Sequence, residues 1–130
     1  MPLARATSQS RESLEGFYRA LADSTDSASS SIGHNMLGLL PMLGDVCGSR
    51  TVWGLTSLSH LWLLAEDDWR SPWLVCVTAY PGEGFRVRYR LPAARAPWPD
   101  ALVEGEARDE AHACQLIAIA IIESGGWAAG

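Results

Sequence analysis

Phe85–Leu91 reads FRVRYRL, and this stretch decides the fold class. Phe85, Val87, Tyr89 and Leu91 alternate with Arg86, Arg88 and Arg90. A period of two is the signature of a β-strand, in which successive side chains point to opposite faces. The apolar members must enter a core, so the three guanidinium groups share the other face. Pro81-Gly82-Glu83-Gly84 stands immediately before it and has the composition of a tight turn.

The pattern extends outward from this strand. Trp73–Ala79 is almost continuously apolar and reads as a central strand, and His60–Glu66 and Thr51–Leu55 read as two more. Asp67-Asp68 marks the turn between His60–Glu66 and Trp73–Ala79. Downstream, residues 92–100, PAARAPWPD, carry three prolines and cannot continue a strand. Ala101–Glu104 reads as a short edge strand. The last helix is expected over 109–124, capped by Asp109 and stopped by Gly125-Gly126. Every residue from Leu116 to Ile122 is apolar, so this helix needs cover on more than its sheet side.

Upstream, Leu14, Phe17, Tyr18 and Leu21 form one helical stripe within residues 10–22, with Ser10 as the expected cap. Residues 23–31, DSTDSASSS, read as a mobile polar linker. Ile32, Met36, Leu39, Leu40 and Leu43 share a helical face, but Gly33, Gly38 and Pro41 predict a short helix ending near Leu40. Residues 1–9 read as a flexible tail. The fold class is therefore α+β. It is an antiparallel β-meander of four to five strands packed against an N-terminal and a C-terminal helix, in a single domain over 10–130.

Composition narrows the chemistry. The 130 residues include ten Arg and no Lys, with a formal charge of −5. Lysine Schiff-base chemistry and a Walker-type phosphate loop are excluded. Residues 96–130 set Arg108 alone against Asp100, Glu104, Glu106, Asp109, Glu110 and Glu123. An acidic chain is ill suited to phosphate backbones, and Asp109 and Glu110 sit where a double-stranded RNA reader needs basic residues, so no nucleic-acid partner is expected. The longest apolar run is too short to span a bilayer, and no basic-then-apolar leader opens the sequence. Cys47, Cys76 and Cys114 are odd in number and lack metal-knuckle spacing. They imply free thiols in a reducing, cytoplasmic setting, without metal or cofactor. The all-Arg usage and small size suit a bacterial protein.

Two readings of function follow. Were the chain a small enzyme, it would use a carboxylate set that no motif marks, or Cys47, in Gly44-Asp45-Val46-Cys47-Gly48, the one cysteine expected outside a regular element, with His60 or His34 as its base. Cys76 is expected in the core. The favoured reading is a non-enzymatic protein-binding module such as an immunity protein, secretion chaperone or adaptor. Arg86, Arg88 and Arg90 would form a ridge for an acidic partner, offset internally by Glu66. Of six tryptophans, Trp69 and Trp98 are the expected interface anchors, while Trp53 and one of Trp62 and Trp73 are expected in the core. Leu116–Ile122 and the tryptophan excess also predict a homodimer.

Overall fold

The computed structural model describes residues 3–6, 13–48, 50–57, 59–68, 70 and 73–127. Among these, the elements run β1 (Leu3–Arg5), α1 (Leu14–Ala22), α2 (Ser27–Cys47), β2 (Val52–Ser57), β3 (His60–Leu64), β4 (Val75–Ala79), β5 (Phe85–Arg90), β6 (Leu102–Ala107) and α3 (Glu110–Glu123). One sheet contains the six strands in the order β1-β2-β3-β4-β5-β6. The α+β class is as the alternation demands, and β2 to β6 form an antiparallel meander.

Three expectations need correction. The expected tail contains β1, which pairs in parallel with β2 through Leu3↔Val52 and Arg5↔Gly54 and sends Leu3 into the core. The sheet is thus mixed and has six strands. The expected linker and short helix are replaced by one 21-residue helix that begins at Ser27 and runs through Pro41. Asp26 caps it by accepting from Ser29 N–H at 2.9 Å. Tertiary contacts override the breakers. Gly33 packs so closely on α1 that an added Cβ would collide with Ala22 N and come 2.7 Å from Tyr18 O. Ser31 Oγ accepts from Gly82 N–H, and Asn35 donates to Tyr80 O and Gly82 O, so α2 also holds the β4–β5 turn. Finally, α1 starts at Leu14 under a Ser13 cap, not at the expected Ser10, which lies outside the described residues.

The helices cover one side of the sheet. Leu14, Tyr18, Ile32, Met36, Leu39, Leu43, Ile117 and Ile121 form one buried cluster with Val52, Leu61, Leu63, Val75, Val77, Phe85 and Val87. Gly54 lies under Leu14, and Gly105 under Leu116. Alternation assigns the residues between these along each strand, such as Trp62, Cys76 and Arg88, to the opposite, helix-free face. α3 ends as expected, with Gly125 at φ +72. No helix of the described residues is long and apolar enough to cross a membrane.

Candidate functional site

The strand registers lay out the helix-free face as three cross-strand rows. The first runs Ser57, His60, Thr78, Arg86 and Glu106. The second runs Leu55, Trp62, Cys76, Arg88 and Glu104. In the third, Trp53 faces Leu64 and Arg90 faces Leu102. Small side chains on β4 therefore lie between an aromatic flank on β3 and a guanidinium flank on β5. Cys76 and Thr78 are buried although no helix covers them, because the flanking long side chains lean over them. Arg88 Nη2 lies 3.6 Å from Cys76 Sγ, and His60 Nδ1 lies 2.7 Å from Thr78 Oγ1.

Arg86, Arg88 and Arg90 do share this face, about 7 Å apart by twice the strand rise. Their acidic neighbours are not the expected Glu66. They lie on and just before β6, which the sequence did not place opposite them. Arg86 donates from Nε to Tyr80 Oη at 2.8 Å, and Tyr80 in turn donates to Glu106. Arg88 lies 4.0 Å from Glu104, and Arg90 lies 3.3 Å from Asp100. Trp73 stacks beneath two of them, with its ring centre 4.5 Å from the Arg90 guanidinium carbon and 5.8 Å from that of Arg88. Guanidinium planes favour such aromatic supports. The Nε of Arg88 and of Arg90 is buried and hydrogen bonds to no protein group among the described residues.

The tryptophans depart from expectation. Trp53, Trp62 and Trp73 are half-buried and stand outside the core cluster, whose aromatic members are Tyr18 and Phe85. Trp98 is 66% exposed and shares an open cleft of about 530 Å³ with Arg90 and Asp100. The structure thus brings Trp98 to the end of the Arg row. Trp69 lies outside the described residues.

The expected Cys47–His60 pair does not exist. Cys47 is buried in the last turn of α2 on the helix side, and its thiol is pushed up to about 11 by burial. His60 lies across the sheet, on the helix-free face, and His34 is exposed on α2. His60 instead approaches Cys76, with Nδ1 3.9 Å from Sγ. This pair is not set for nucleophilic work. Burial raises the Cys76 pKa, while burial and then Arg88 and Arg86 lower that of His60, so both groups favour their neutral forms. Among the described residues no three His, Cys, Asp or Glu side chains gather as a metal set. A second cleft of about 610 Å³, between β1, α1 and α2, is mainly apolar, and two of the charges that line it, Glu15 and Arg19, pair with each other at 2.6 Å.

The chain matches none of the protein-family models, curated proteins or solved structures with which it was compared.

Proposed function

We propose that the chain is a non-enzymatic protein-binding module whose helix-free sheet face receives an acidic segment of a partner protein. One observation carries this reading. Three arginines stand in a row on a sheet face that no helix covers, two of them over the Trp73 ring. Their internal acids hold them loosely. Glu104 and Asp100 side chains are 55% and 84% exposed, at 4.0 and 3.3 Å. Exposed pairs of this kind contribute roughly 0–1 kcal/mol. A partner carboxylate arriving with its own desolvating surface offers bidentate geometry that the long internal contacts lack. Trp62 and Trp73 supply apolar area on one side of the row, and Trp98 supplies it at the row's end. An adaptor, secretion chaperone or immunity protein needs such a surface and no reacting constellation.

The test uses a glutamate-rich peptide as the probe. Arg88→Glu is expected to weaken binding at least tenfold at low salt and to flatten its salt dependence, whereas Glu106→Arg strengthens it. Equal affinities for wild type and Arg88→Glu across the salt series would show that the row is only a solvated strand face.

A further inference from the structure

The arginines occupy a strip of the bare face that is one strand wide. Arg86, Arg88 and Arg90 follow one another along β5 about 7 Å apart, twice the strand rise. β6 lies beside them at about 4.8 Å, the spacing of neighbouring strands. On the same face it sets Glu106, Glu104 and Leu102 opposite them, in that order. On the other side, β4 presents the buried Thr78 and Cys76. Positive charge is therefore arranged as a line and not as a patch.

The two ends of that line differ. At Arg86 the flanking groups are Tyr80 and Glu106, both polar. At Arg90 the flank on β6 has become apolar, with Leu102 43% exposed. Arg90 also borders the cleft of about 530 Å³ that is walled by Leu91, Pro97 and Trp98, with Asp100 as its acid. A further carboxylate entering this cleft would be repelled by Asp100, whereas an aromatic ring would meet the exposed indole of Trp98.

We infer, resting on the acidic-partner reading, that the partner segment is an extended chain lying along β5. It sets carboxylates at three alternate positions over Arg86, Arg88 and Arg90, and an aromatic residue two positions beyond the last of them against Trp98. An extended chain repeats every second side chain at the step of the row itself, so three carboxylates meet three guanidinium groups without bending. The next side chain of the same phase, one step past Arg90, enters the cleft. A helix fits the strip poorly. With its side chains it is about 10–12 Å wide, and centred on the row it would cover Glu104 and Glu106 as well. Those two acids also oppose a segment displaced by one strand toward the edge, which keeps the chain over β5.

The experiment measures binding of labelled peptides to the full chain by fluorescence anisotropy at low salt. The spaced probe has three glutamates separated by single serines and a phenylalanine two positions past the last, and its reversed sequence covers the opposite chain direction. A permuted probe has the same composition with the glutamates consecutive, and an alanine probe replaces the phenylalanine. The better of the two spaced probes is expected to bind about tenfold more tightly than the permuted one. Trp98→Ala, which truncates an exposed side chain, is expected to weaken the spaced probe about fivefold and to leave the alanine probe unchanged. Equal affinities for the spaced and permuted probes overturn the inference. So does a Trp98→Ala effect that is the same with and without the phenylalanine, or a helix-forming probe with glutamates four apart that binds more tightly than the spaced one. Where the probes bind alike and Arg88→Glu weakens them all, the acidic-partner reading holds and the extended arrangement fails. Where Arg88→Glu weakens none of them, that reading fails as well.

Discussion

The two faces of the sheet are built from alternate residues of the same strands, yet they differ in kind. On the helix side, Leu61, Leu63, Val75, Val77, Phe85 and Val87 are buried in contact with three helices. On the bare side, their immediate neighbours His60, Trp62, Arg86, Arg88 and Arg90 are only half-buried. One face holds the molecule together, and the other is left with aromatic area and a row of guanidinium groups. The difference teaches where stability and recognition are separable: substitutions one residue apart should act on different properties.

The sharpest expected contrast is Leu63→Ala, which removes a fully buried side chain from the helix side and should cost about 2–5 kcal/mol. Chemical denaturation reads this directly, and a loss below about 1 kcal/mol would mean that the helix side is not the stabilising core. Gly33→Ala should follow at about 1–3 kcal/mol, because the new methyl group has no room between α1 and α2. A stabilised Gly33→Ala would show that the two helices do not approach as described. Arg88→Gln, on the bare face, should change stability by about 1 kcal/mol or less while weakening binding of the acidic probe. A large stability loss there would erase the contrast between the faces.

The smallest effect concerns pH. His60 faces Ser57, Trp62, Thr78 and Cys76, with Arg86 and Arg88 beyond, and its pKa is lowered by burial and by those two cations. The unfolded chain therefore takes up this proton more readily than the folded one. The stability linked to His60 is complete above about pH 6.5 and is lost as pH falls through that value toward the lower folded pKa. Thermal melts between pH 7.5 and 5.5 should show a shallower slope for His60→Gln than for wild type, and identical slopes would contradict the assignment.

Much of this was legible where local sequence and tertiary packing agree. The alternation of Phe85–Leu91 placed β5 and its Arg row, and Asp109 with Gly125 bounded α3. β1 was not legible, since three residues cannot display a period and their pairing partner lies about fifty residues away. α2 was misread because Gly33, Gly38 and Pro41 are breakers locally, while Tyr18, Ala22 and the Gly82 turn hold the helix from outside. Within the site, the sequence showed the arginines but not their acids. The pairing of Arg86 with Glu106 and Arg88 with Glu104 is a matter of register across an eleven-residue proline-rich connection. The Cys76–His60 approach is likewise a cross-strand event, and the expected Cys47–His60 pair is separated by the sheet itself.

The central claim is that the bare face, and not the helix-covered one, meets an acidic partner. Nitrogen-15 NMR during titration with the glutamate-rich peptide tests it most directly. The account predicts shifts concentrated at the Arg86, Arg88 and Arg90 side chains and at the Trp62, Trp73 and Trp98 indoles, fading as salt is raised. Shifts confined to α1 and α2, or none at these six side chains, would contradict it.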